Sequence, residues 1–344
     1  DGDGHTIEYI NGQWVLDPGD LNQIDDDNHD NDPATLIDDL IGWDPAGTWT
    51  TQNDYDNDPF PKVDGAATDG GTWAHGSHVA GILAATSDNG VGMASTVFNG
   101  KIISIKTSTD GQNTDDPGIQ NGYDGILYAA KAGYYAGTFT IINNSWGGGG
   151  YSNSEQSVVN TALMAYGGIV VASAGNEGLN TDGYPAALDN VIGVCALDEN
   201  DQKIPVSNYS ENFDIAAPGA SIYSPYVQNQ YGSNSGTSVA AAIVAGSAIL
   251  LRSHFPTENA AQITTRLLNS TDEIYSVNQV YQNLLGTGRL NLASALAYDL
   301  QTNDTESTKN PDISIFPNPS SGQFNLTFQS HLGVEYQLSV FDYK

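Results

Sequence analysis

The chain has 344 residues, with 41 Asp and Glu against 10 Lys and Arg, a formal net charge of -31 and a sequence pI near 4.1. That length can hold one large α/β domain or two smaller ones, and so few cations exclude the basic patches that a nucleic-acid partner requires. An acidic excess of this size repels itself in the compact state, so salt or bound cations are expected to stabilise the fold; a merely solvated acidic surface is the alternative.

In chain order, residues 1 to about 70 are rich in Asp, Asn, Gly and Pro, lack sustained apolar periodicity and predict loops. A small apolar helical run ends near Ala85, a β run spans Lys101 to Lys106, and a helix is expected from about Ile119 to Tyr135. A strand from Phe139 to Asn144, a helix from Ser154 to Tyr166 and a strand from Gly168 to Ala174 follow. Cys195, the single cysteine, lies in an apolar run that reads as a buried strand, and no intramolecular disulfide can form within these residues. A long small-residue helix follows Ser238, and another ends near Leu300. Short apolar β runs alternating with helices predict an α/β doubly wound fold, a mainly parallel sheet covered by helices on both faces.

Residues 1–300 are thus expected to form one domain, 301–312 a polar linker, and 313–344 the start of a small β module. In the module, Ile313 to Phe316, Phe324 to Phe328 and Tyr336 to Phe341 alternate in strand fashion around the turn Pro317–Gly322. No apolar stretch reaches the roughly 18 residues that span a membrane, and the N-terminus carries no signal-peptide pattern. The protein is then either intracellular or has its leader outside this sequence; the lack of an initiator Met favours the second reading.

Three segments carry candidate chemistry. In Ser235-Gly-Thr-Ser238 a Gly-rich approach opens directly into a helix, leaving the Ser238 N–H unpaired at the positive end of the helix dipole, which suits a nucleophile; an N-capping role is the plainer alternative. His75-Gly-Ser-His78-Val-Ala-Gly81 sets a histidine at a helix mouth, fit to act as a general base, and its His-x-x-His spacing also admits a metal. In Ala172-Ser-Ala-Gly-Asn176-Glu-Gly178 a strand ends in a Gly-rich turn bearing an amide that could donate to an oxyanion or simply shape the turn.

Together and in this order the segments resemble the subtilisin-like serine proteases, or subtilases. His75 to Gly81 is similar to the family's His-Gly-Thr-His-Val-Ala-Gly motif, Gly236-Thr-Ser238 to its serine motif, and Ala174-Gly-Asn176 to its oxyanion segment. Asn144-Ser-Trp-Gly147 resembles the strand lining the specificity pocket, and Ala217-Pro-Gly219 and Gly286-Thr-Gly-Arg289 match further landmarks. The resemblance implies a serine endopeptidase in which His75 takes the Ser238 proton and Asn176 with the Ser238 N–H holds the oxyanion, with no cofactor needed for catalysis. It implies protein or peptide substrates adding as a strand along Ser145, Trp146 and Gly147, with Ala174 and Gly175 on the facing segment, and an upstream propeptide. No charged residue occurs in Ser145 to Gly150 or Ala172 to Asn176, so uncharged residues, apolar or broad, are expected before the cut.

The chain also departs from the family. No apolar strand ending in Asp precedes His75, and Asp64 and Asp69 sit too close to it, so the triad aspartate is expected upstream of Asp1 in an N-terminally truncated chain. A non-catalytic surface or binding protein on the same scaffold is the competing reading. Val239, Ala242 and Ile243 replace the usual Met and Pro-His of the serine helix, and Ser77 replaces Thr. Asp25, Asp26, Asp27, Asn28 and Asp30 offer hard oxygen ligands for a structural calcium without an EF-hand order, a solvated acidic loop being the other reading. The terminal module, with Ile315-Phe-Pro-Asn-Pro-Ser-Ser-Gly322, resembles the sorting domains of type IX secretion in Bacteroidetes-type bacteria, which implies export to the cell surface or medium; an ordinary β appendage is the alternative.

Overall fold

The computed structural model describes residues 8–10, 13–15, 42–47, 58–60, 62–63, 66–67, 74–110, 118–226, 230–300, 313–316 and 325–328. The chain divides into two units, Asp1–Tyr298 and Asp299–Lys344.

The first unit opens with two short antiparallel pairs, β1 (Glu8–Ile10) with β2 (Gln13–Val15) and β3 (Lys62–Val63) with β4 (Ala66–Ala67), where loops were expected. Helix α1 (His75–Ala84) and helix α2 (Gly122–Tyr135) follow. Strands β5 (Ile141–Asn144), β6 (Ile169–Ser173), β7 (Val191–Leu197) and β8 (Ile215–Pro218) form a parallel sheet in sequence order, with helix α3 (Asn153–Met164) between β5 and β6. Beyond it come the hairpin β9 (Ile222–Pro225) and β10 (Tyr231–Asn234), then α4 (Thr237–His254), α5 (Ala260–Leu268) and α6 (Leu292–Ala297).

The two-residue side-chain period of a strand divides the sheet between two cores. Val170 and Ala172 of β6 and Val191, Cys195 and Leu197 of β7 pack with Ile126 and Ala130 of α2 and Val159 and Ala162 of α3. The alternate residues Ile169, Val171, Ile192, Val194 and Ala196 pack instead with Ala240, Ala241, Val244 and Ala248 of α4 and Ile263 and Leu267 of α5. Buried on both faces, these strands read as continuous apolar runs, the α/β doubly wound arrangement expected. Against the expectation that no stretch is long and apolar enough, the 18 residues of helix α4 have the length and apolarity of a membrane span, yet most of the helix is buried as the core helix on this sheet.

Two expectations shift. The α2 start moves from Ile119 to Gly122 because Asn121 takes a left-handed φ of 51° and its Nδ2 donates to the Pro45 carbonyl at 2.6 Å, which breaks the helix before it. Among the described residues the Lys101–Lys106 run forms one parallel bridge, Ile105 with Trp43, and Ile102 and Ile103 stay 53% and 42% exposed. Apolar composition supplied a strand-like segment there, but no strand lies against its other side among the described residues. Below that segment a chain of ion pairs links Asp58, Lys62, Asp110, Lys106 and Asp44, the last three almost fully buried.

In the second unit, β11 (Ile313–Phe316) pairs antiparallel with β12 (Asn325–Phe328). The expected strand at Tyr336–Phe341 and the acidic loop at residues 25–30 lie outside the described residues.

Candidate active site

Parallel strands in register send their C-terminal loops to the same edge of the sheet. Because Asn144 of β5 lies opposite Ala172 of β6, the segments Ser145–Gly147 and Ala174–Asn176 leave the sheet side by side. Helix α4 starts against both. Gly236 enters it at φ 150°, a value open to glycine, and a Cβ there would lie 3.0 Å from Asn176 Oδ1. Helix α1 packs along α4 through Val79, Ile82, Val239 and Ala242, so the small residues that replace the family's usual ones at 239 and 242 fill a compact apolar cluster. Both helix N-termini, bearing His75 and Ser238, belong to this packed pair.

The Ser238 hydroxyl is half-buried and donates to the Ser145 carbonyl at 3.3 Å, while Ser145 Oγ donates to the Ser238 carbonyl at 2.8 Å. The exchange ties the nucleophile candidate to the β5 segment. No hydrogen bond joins Ser238 Oγ to His75; catalytic bonds of this kind are often long before substrate binds. Burial, with a smaller contribution from His78, pushes the His75 imidazole below its ordinary value of 6.5 and keeps it neutral near pH 7, the form a general base needs.

Asn176 is exposed, and its amide is oriented by one clear demand. The Thr237 N–H needs an acceptor and takes Asn176 Oδ1 at 2.9 Å, which turns the NH2 group away. Among the described residues neither that NH2 group nor the Ser238 N–H has a partner, as the first turn of a helix dictates for the latter. Thr237 itself is fully buried and its hydroxyl bridges to the Gly175 backbone at 3.1–3.2 Å. Gly147 faces the Tyr184 carbonyl, which accepts from the Gly148 N–H at 3.0 Å, and Trp146 meets Tyr123 edge-on at 5.6 Å.

His78 has contacts of its own apart from His75. It is fully buried, its Nε2 lies 3.3 Å from the Gly232 carbonyl, and its ring packs on Tyr226 at 5.0 Å. No cluster of three or more His, Cys, Asp or Glu side chains with metal-binding geometry occurs among the described residues. A cavity of about 560 Å³ lined by Leu197, Asp201, Ile222 and Arg289 contains none of the expected site residues. Sequence reasoning passed over Glu177, the carboxylate next to Asn176, which accepts from Asn208 Nδ2 at 2.6 Å. It passed over Asn208 too, which stands in Val206-Ser-Asn-Tyr-Ser210 with no glycine beside it to mark a turn.

A family model described as the subtilase family matches residues 26–303. The chain belongs to the subtilase family. It is 36% identical over 236 residues to thermitase of Thermoactinomyces vulgaris, covering 69% of this chain and 79% of that protein. Subtilisin DY of Bacillus licheniformis is 38% identical over 212 residues, 60% of this chain and 73% of the relative. Among solved structures, a protease from Pseudoalteromonas arctica superposes with a TM-score of 0.59 at 29% identity, over 75% of this chain and 83% of that one. As a subtilase the chain is a subtilisin-like serine protease by family, with the α/β architecture its sheet displays.

Proposed function

We propose that this subtilase is an extracellular endopeptidase that cleaves peptide bonds through an acyl-enzyme on Ser238. The observation that carries the reading is the Asn176 amide, whose Oδ1 is anchored on the N–H just before Ser238, leaving its NH2 group and the Ser238 N–H as donors without a partner among the described residues. Neutral His75 takes the Oγ proton as Oγ attacks the substrate carbonyl carbon, and the two donors receive the oxyanion. The imidazolium then protonates the leaving amine, and water repeats the sequence to free the acid.

The carboxylate that orients His75 is expected on a strand at the free edge of β5, which pairs only with β6 among the described residues and carries Asn143, whose Oδ1 is buried without a partner. Substrate adds along Ser145, Trp146 and Gly147, opposite Ala174 and Gly175, where no side chain is charged; uncharged residues are therefore preferred before the cut. A propeptide and export through the terminal β module complete the proposal, supported by the subtilase relatives and by the module's resemblance. A structural calcium at Asp25–Asp30 belongs to the same set of expectations.

The bond from Ser238 Oγ to Ser145, in place of one to His75, favours a second reading, a non-catalytic binding protein on this scaffold. A fluorophosphonate probe applied to the full-length protein separates the two: covalent labelling of Ser238, abolished in Ser238→Ala together with peptide hydrolysis, is expected. A well-folded full-length protein that stays unlabelled would overturn the catalytic reading in favour of the second, and cleavage of a peptide library mainly after Lys or Arg would overturn the pocket assignment.

A further inference from the structure

Asn176 can hold its NH2 group in place only if the backbone that carries it is fixed. Residues 174–179 form a loop with two glycines in the left-handed region, Gly175 at φ 101° and Gly178 at φ 71°, and such a loop has little rigidity of its own. What stiffens it is another part of the chain. Asn208 N donates to the Gly175 carbonyl at 3.0 Å, the Gly178 N–H donates to Val206 at 2.8 Å, and the Tyr209 N–H donates to Leu179 at 3.0 Å.

The Asn208 side chain does more. It is 2% exposed and uses both ends of its amide: Oδ1 accepts from the N–H groups of Glu177 at 3.2 Å and Leu179 at 2.9 Å, and Nδ2 donates to the Ala174 carbonyl at 3.2 Å and Glu177 Oε2 at 2.6 Å. One amide therefore grips the loop on both sides of Asn176, and a Cβ at Gly175 would collide with it. The turn presenting Asn208 is itself braced. The buried Lys203 ammonium donates to the carbonyls of Ile204, Pro205 and Ser207 and lies 5.3 and 5.0 Å from the Tyr209 and Tyr281 ring centres.

We infer that Asn208 is a positioning residue for peptide hydrolysis, holding the Asn176 loop so that the amide donor meets the oxyanion. The inference rests on the oxyanion role proposed for Asn176.

The test is a cycle of Asn208→Ala, Asn176→Ala and the double variant in the full chain, with kcat and KM measured on a peptide amide and melting temperature followed in parallel. Because a small misplacement of a catalytic group can cost about 100-fold, Asn208→Ala should lower kcat by about 10- to 100-fold with KM nearly unchanged. In the Asn176→Ala background the same change should cost less than about 2-fold, since the group it positions is gone. Equal losses in both backgrounds, or a loss confined to melting temperature, would overturn the inference. If Asn208→Ala does not fold, Asn208→Asp serves: it keeps the acceptor, loses the donor and sets a second carboxylate against Glu177, so kcat should fall and adding Glu177→Gln should recover part of it. Absence of that recovery would likewise overturn the positioning role. Full activity in Asn176→Ala alone would instead overturn the oxyanion reading, which keeps the two failures distinct.

Discussion

At the scale of single residues, the site is ordered by who supplies an acceptor. Thr237 N–H demands one, Asn176 Oδ1 answers, and the direction of the amide follows without any ligand. Asp214 shows the opposite case, a carboxylate with too little help. Burial pushes it up from 3.8 to about 6, offset only by the Gly193 N–H at 2.8 Å. A raised folded value means that the contribution of Asp214 to stability is fully present below pH 3.8 and is lost as pH rises through about 6, because ionisation is opposed only in the folded state. Asp214→Asn keeps an acceptor for Gly193 and removes the buried charge. It should stabilise the protein at pH 8 by up to about 2–3 kcal/mol and leave it unchanged at pH 3, measured by denaturant unfolding at both values. A variant no more stable at pH 8 would contradict this account.

At the scale of elements, strands and long helices were legible because burial on two faces leaves uninterrupted apolar runs such as Val191–Leu197 and because α4 is built from small residues. The candidates His75, Ser238 and Asn176 stand out in the sequence for a related reason: helix mouths and tight turns need local glycines, which flag them. Asn208 was not, since its role comes from two segments meeting in space, and Ile105 looked like part of a full strand although pairing depends on neighbours that composition does not reveal. Helix α5 escaped as well. It is short, with an exposed polar face, yet Asn259 and Gln262 cap it reciprocally at 3.0 and 2.9 Å. Asn259→Ala should therefore cost about 1 kcal/mol, seen as a lower melting temperature with activity retained. Arg266 reinforces the same helix by pairing with Glu258 and donating to the carbonyls of Ala295 and Tyr298, which joins α5 to α6.

At the scale of the whole molecule, the net charge of -31 is the dominant long-range term. The ion-pair chain from Asp58 to Asp44 absorbs two lysines, Lys62 and Lys106, into partly or fully buried positions, and Lys203 is spent on backbone carbonyls, so few cations remain to offset the surface carboxylates. Added NaCl, which shortens the screening length from ~30 Å at 0.01 M to ~3 Å at 1 M, should raise the melting temperature steadily. A flat response would show that the carboxylates are compensated locally. The order in which these parts can assemble is set by the packing of α1 against α4. The sheet joins strands that are neighbours in sequence, whereas contacts that bring α1 home, such as His78 to Gly232, close a loop of 154 positions. Long closures cost the most entropy and come late in folding. Under the proposed mechanism, the helix mouths bearing His75 and Ser238 come into place only as the domain completes itself, so a half-folded chain, the state most vulnerable to cutting and most able to meet its own copies, would carry no working site.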